Sequence, residues 1–288
     1  MSAVKAAAAP TAASPSTSPV VKVAKVPEEP FKFRPAEPHE ISVSDKFSPD
    51  KGWQQHSART RYLPFRWWNK QLSMALARYS AGGIDENKIK YLFDFLEEYY
   101  GQMVELYFDT EAAVYDEWLQ FKVQRPLEDA MATDTTQFRK LFYEAVKYRD
   151  YQSTVPGRQE FVRRMSLVID LVSKWIENKE DGYVSNFTGS AGLSEEEERI
   201  EWHVMLNKLG AEGKKRYLPG LMYCLRSLEP KEAIIAKIDE FNFADKNMLN
   251  HFWFKDFEAH QLNVLSGLAS DKEVPFKPPP ECGVCTLM

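Results

Sequence analysis

The sequence predicts an all-α protein, an antiparallel four-helix bundle followed by a further helical block, and three observations carry that prediction. Between residues 64 and 190 four stretches place apolar residues three or four apart, the spacing of one helix face. Short connections join those stretches, which suits antiparallel neighbours. No stretch of strand length alternates apolar and polar residues.

Each element has its own local signal. Residues 1–30 are mostly Ala, Ser, Pro, Val and Lys with no acidic residue before Glu28, and residues 31–57 stay Pro-rich and charged. Neither composition builds a core, so residues 1–57 are expected to form a disordered arm whose Phe31, Phe33, Phe47 and Trp53 dock locally. An acid-free, Ala- and Ser-rich start also occurs in organelle transit peptides, but no Arg precedes Arg34, and a plain tail is the preferred reading. Pro64 suits a first helical turn, the stripe Phe65, Trp68, Asn69, Leu72, Leu76 and Tyr79 comes next, and Gly82-Gly83 ends a first helix over residues 64–80.

Asp85 caps a second, long helix expected to reach Gln120, with Gly101 a weak point rather than a break. Its stripe is Leu92, Leu96, Tyr100, Met103, Tyr107, Val114 and Trp118, with one gap filled by Glu111. A carboxylate on a buried stripe costs several kcal/mol unless it is paired, protonated or metal-bound. Glu111 is therefore either a relic of chemistry or a hydrogen-bonded core residue. A third helix over 134–148 turns Phe138, Leu141, Phe142 and Val146 inward, and Pro156 opens a fourth through Phe161, Met165, Val168, Val172 and Trp175. The fourth is expected to stop before Gly182, leaving 183–192 as a loop. Ser194 and Glu197 form a capping box for a helix carrying Ile200, Trp202, Val204, Met205 and Leu206. Tyr217-Leu218-Pro219-Gly220-Leu221 should interrupt the next helix, Pro230 starts another, and 249–265 is the last. The expected organisation is an arm over 1–57, a bundle over 58–190, a helical extension packed on it over 191–268, and a Pro-rich tail over 269–288. No internal repeat is visible.

Composition excludes several functions. A net charge of -5 with both signs interspersed gives no basic face for nucleic acid. No apolar run reaches the 18 residues of a membrane-spanning helix. Three cysteines, two of them within the last seven residues, make no disulfide framework and fit a reducing compartment. No Gly-rich phosphate loop, HExxH motif or Ser-His-Asp constellation is present, so no catalytic residue is assigned and the chain is read as a non-enzyme. His203, His251 and His260 make no ligand set, and the acidic run 195–198 reads as a helix cap and solvated face.

Helix two in the frame of Glu111, with Val114, Tyr115 and Leu119 at hydrophobic positions, resembles the helix of hemerythrin-like (HHE) domains that reads His-x-x-x-Glu. Trp68-Asn69-Lys70-Gln71-Leu72 is similar to the first-helix segment of that family, and residues 175–184, WIENKEDGYV, to the last ligand helix. The stretches beyond residue 192, Leu193-Ser194-Glu195-Glu196-Glu197 and Tyr217-Leu218-Pro219, resemble the post-bundle segments of multi-domain, iron-responsive members. The resemblance covers about residues 61–257 and implies a four-helix bundle that holds two irons with histidines and carboxylates. Carried across, the histidine positions fall on Asn69, Tyr107, a residue near Thr135, and Trp175. Only Glu111, and approximately Glu180 with Asp181, match, and no His occurs between His56 and His203. Iron needs several N or O ligands converging on one point. The resemblance thus implies a lost di-iron site: no cofactor, no metal, Glu111 and Glu180 as vestigial ligands, and a core filled by rings, with the Tyr107 hydroxyl or Asn69 amide bonded to Glu111. An iron or oxygen sensor using Glu111, Glu180 and ligands such as Tyr107 is the alternative.

The C-terminus, Cys285-Thr286-Leu287-Met288, fits the C-a-a-X pattern expected to take a farnesyl group, with Thr a looser match. One lipid binds membranes only marginally and no polybasic run helps, so Cys282 is a candidate for a second lipid. A redox or zinc-binding role for Cys282-Gly283-Val284-Cys285, or chance, stays open. Together these features describe a non-enzymatic protein-binding or scaffold module with an unidentified protein partner, cytoplasmic and held peripherally at a membrane face. A structural subunit of a large assembly is a third possibility, favoured by the aromatic surplus and the extended arm, and an organelle is the alternative location.

Overall fold

Apolar residues three and four apart wind the chain into helices that bury one face each. The structure, a computed structural model, describes residues 52–151, 153–189, 193–226 and 228–270, which belong to one compact unit. Among the described residues there is no strand, and no helix is long and apolar enough to cross a membrane. Helix α1 is Gly52–Thr60 and α2 is Leu63–Ser80, with Pro64 in its first turn. Helix α3 spans residues 86–123 and is capped by Asp85, whose carboxylate accepts from the Asn87 N–H. Helix α4 is Thr135–Val146, capped by Asp134, and α5 is Val155–Gly189. Then come α6 (Glu195–Lys208), with the Ser194 and Glu197 capping box in place, α7 (Gly210–Leu225), α8 (Lys231–Asp239) and α9 over residues 243–269.

Helices α1, α2 and α4 pack on α5, while α7 and the end of α9 pack on α2. Buried rings knit these contacts together: Tyr107 lies 5.0 Å from Tyr217, Phe65 4.8 Å from Tyr107, and Trp67 5.7 Å from Phe257. The later helices therefore share one core with the earlier ones instead of sitting on a finished bundle.

Four expectations need correction. Residues 52–57, assigned to the N-terminal arm, are helical, and Trp53 stacks on Phe187 of α5 at 5.4 Å. Helix α5 runs through Gly182 to Gly189, so residues 183–189 are not loop. Gly182 is where Met131 packs: a Cβ there would meet the Met131 sulfur at 2.3 Å. Helix α7 continues through Pro219, because Tyr217, Leu218, Gly220 and Leu221 around it are all buried and packing outweighs the lost N–H. Finally, the α3 stripe moves by one residue at Glu111. Beyond it Tyr115 and Leu119 are fully buried, while Val114 and Trp118 are only half-buried. The cause is a π-turn over Glu111–Asp116, whose i→i+5 bonding takes about one extra residue per turn. The remainder of the 1–57 arm, and the 269–288 tail beyond residue 270 with Cys282 and Cys285, lie outside the described residues.

Candidate functional site

The chain breaks helix between α1 and α2 at Arg61-Tyr62, and that joint sends two adjacent side chains to two buried charge centres. Tyr62 donates to Glu111 Oε1 at 2.8 Å. Glu111 is fully buried; its other oxygen, Oε2, has no hydrogen-bond partner and lies 3.6 Å from Lys179 Nζ. Lys179, equally buried on α5, pairs closely with Asp116, which also accepts from Tyr183 Oη at 2.6 Å. The π-turn is what brings Asp116 round to face α5.

Arg61 points the other way. It pairs with Glu198 of α6, and Tyr115 donates to the same Glu198 oxygen at 2.9 Å. The guanidinium stands 4.0 Å over the Tyr115 ring and 5.1 Å from that of Tyr183, so the tyrosines join the two centres. Because residue 61 lies outside both helices, its carbonyl is free to accept from Tyr217 at 2.6 Å and from Tyr107 at 3.3 Å.

Burial and the facing charges shift these groups. Glu111, Asp116 and Glu198 face only Lys179 and Arg61, so with every group charged the buried cluster would carry one excess negative charge. Burial pushes the Glu111 carboxyl above its ordinary value, Lys179 opposes this, and Asp116 adds to it. Protonation of Glu111 would neutralise the cluster and still leave Oε1 as the acceptor for Tyr62. Burial likewise raises Tyr62, Tyr115 and Tyr183, keeping their hydroxyls as donors. The guanidinium of Arg61 is held above its usual range, because the facing Tyr115 and Glu198 oxygens outweigh the penalty of burial. This is a paired ionic core that fixes how α1, α2, α3, α5 and α6 meet, with Glu111 Oε2 and the Arg61 Nε and Nη1 atoms left without hydrogen-bond partners.

The residues named from the sequence are dispersed. Glu180 does not join Glu111: it takes a two-pronged bond from Arg66, at 2.9 and 2.6 Å, and the preceding residue, Lys179, reaches Glu111 instead. Asn69 accepts from Tyr100 at 2.8 Å and donates to Ser173 at 2.9 Å, and Tyr107 turns to the Arg61 carbonyl. Neither bonds Glu111; Tyr62 does. Thr135 donates to Asp109 at an exposed position, and Trp175 packs its ring against Phe108 and Phe138. Glu198 is buried with Arg61, so the acidic run is not wholly a solvated face. His203 bonds Glu240, His260 stacks on Tyr99, and His251 is exposed.

An iron pair does not suit these residues. An ammonium group stands beside Glu111, and among the described residues no group of three or more His, Cys, Asp or Glu side chains is placed to hold a metal ion. Sequence reasoning missed Arg61, Tyr62, Asp116, Lys179 and Tyr183. The signal for two of them was present: Trp175, Lys179 and Tyr183 are four apart, which puts a lysine on the buried face of α5 once that helix is carried past Gly182. Comparison with family models, curated proteins and solved structures finds no match to this chain.

Proposed function

We propose that the helices of residues 58–190 form an antiparallel, hemerythrin-like four-helix bundle that has lost its iron chemistry, and that the protein is a non-enzymatic binding or scaffold module. On this reading a lipid on Cys285, with Cys282 as a second acceptor, tethers it to the cytoplasmic face of a membrane. The observation that carries the proposal is Lys179: a cation built by the chain stands beside Glu111, where the family would place a metal. The aromatic residues at the Tyr107 and Trp175 positions support it by filling the space that histidine ligands would leave. Exposed Phe121, Phe243 and Phe252 give a scaffold apolar handholds for partners, and equally favour the second reading, a subunit of a larger assembly.

Two measurements test the two halves. Purified protein is expected to hold no stoichiometric iron and to show no charge-transfer absorption; about two irons per chain would overturn the first half. A Cys285→Ser variant is expected to move from the membrane to the cytosolic fraction, and an unchanged distribution would overturn the second.

A further inference from the structure

Helices α1, α6 and α8 border a second feature, a half-open cavity of about 100 Å³. Its walls include Trp53, Trp202, Phe241 and Met222. A cavity of about 150 Å³ takes a benzene ring, so this one holds part of a small ring and leaves the remainder at its mouth. The charged groups round it are already matched to one another. Glu240 is 3.1 Å from His203 and 3.5 Å from Arg199, His56 is 3.0 Å from Glu229, and Glu198 is committed to Arg61. Lys237 is 3.9 Å from Glu229 and Glu195 is exposed to water, so no buried charge is left over to attract an ion. Two uncharged groups in the lining are unmatched: Thr60 Oγ1, on a residue 3% exposed, and the indole Nε1 of Trp202, both closed to water and without a hydrogen-bond partner. A buried donor left unpaired is unfavourable, so a ligand oxygen that reached it would bind with gain.

We propose that this cavity binds a small, neutral, planar aromatic or heteroaromatic compound carrying a carbonyl oxygen. The ring lies among Trp53, Trp202 and Phe241, and the oxygen accepts from Trp202 Nε1 and Thr60 Oγ1. Both atoms are shut off as the side chains stand, so binding includes a small turn of the indole ring. A charged ligand of either sign is disfavoured, because it would leave water for a site whose buried charges are already paired.

Benzamide, benzoate and benzamidine share one shape and differ in charge, and calorimetric titration of each into the full chain tests the idea. Benzamide is expected to bind at least about tenfold tighter than either charged probe. Trp202→Phe keeps a ring but removes the N–H and part of the ring volume; it is expected to weaken benzamide about tenfold with the helical circular dichroism unchanged. Ser57→Trp, which fills the cavity from α1, is expected to abolish binding with the helical circular dichroism unchanged. Absence of benzamide binding, equal affinity for all three probes, or wild-type benzamide affinity in Trp202→Phe would each overturn the proposal. Should Ser57→Trp fail to fold, the Trp202→Phe comparison decides.

Discussion

Lys179 answers two carboxylates at once, Asp116 closely and Glu111 at 3.6 Å, with its own side chain wholly buried. Removing one member of a buried ionic set leaves its partners uncompensated, which costs about 3–5 kcal/mol. Lys179→Met is expected to lose stability of that order in urea unfolding, and adding Asp116→Asn with Glu111→Gln to recover most of it. Glu111 itself carries a pH signature. Its carboxyl is raised in the folded state, so its contribution is full below the ordinary value of 4.5 and drains away as pH rises through the raised value. Glu111→Gln, which mimics the protonated acid and still accepts from Tyr62, is expected to match wild type at about pH 4 and to exceed it at about pH 8. Urea midpoints at the two pH values check this, and a constant difference between the proteins would show that folding does not shift the Glu111 carboxyl. One anomalous acid on an apolar stripe was enough to find the centre from the sequence. Its partners were harder, because Tyr62 and Arg61 lie between helices, where no periodicity marks them, and Asp116 depends on a π-turn.

The elements themselves were largely legible: Asp85, Asp134 and the Ser194 capping box start helices where their side chains allow. Less legible were the π-turns, although they have a rule. An α-helix turns about 100° per residue, so apolar residues spaced four apart drift about 40° per step, and a stripe that keeps that spacing must rewind. In α3 the runs 92, 96, 100 and 107, 111, 115, 119 hold the π-turns Leu96–Gly101 and Glu111–Asp116. In α9 the run 249, 253, 257, 261 holds Leu249–Trp253 and Glu258–Leu262. Helix α5 escapes because its buried face is two residues wide, at 175–176, 179–180, 182–183 and 186–187. Two glycines inside helices, Gly101 read from the sequence as a weak point and Gly182 as a helix stop, are close-packing sites. A Cβ at Gly101 would stand 2.5 Å from the Phe142 ring. Gly101→Ala is expected to cost about 1–3 kcal/mol by thermal unfolding despite alanine's better helix propensity. Gly182→Ala should cost less, since the Met131 thioether it meets can swing aside.

At the scale of the whole molecule, an expected appendage is part of the core. A stripe pattern shows which face a helix buries but not against what, so the sequence could not reveal that α7 and α9 cover α2. The joint at Arg61-Tyr62 also sets an order of events during synthesis. The carboxylate that takes the Arg61 side chain is 137 residues downstream, and the hydroxyl at 2.6 Å from its carbonyl is 156 residues downstream. Closing such long loops is slow and costs chain entropy before any contact repays it. Until residue 198 has left the ribosome, the N-terminal helices hold a buried-to-be arginine with nothing to neutralise it. A fragment of residues 52–190 is accordingly expected to show helical circular dichroism with poorly dispersed amide resonances, whereas the full chain gives sharp, dispersed ones. The completing contacts come last, so a nascent chain stalled before α6 presents an unfinished, chaperone-accessible surface.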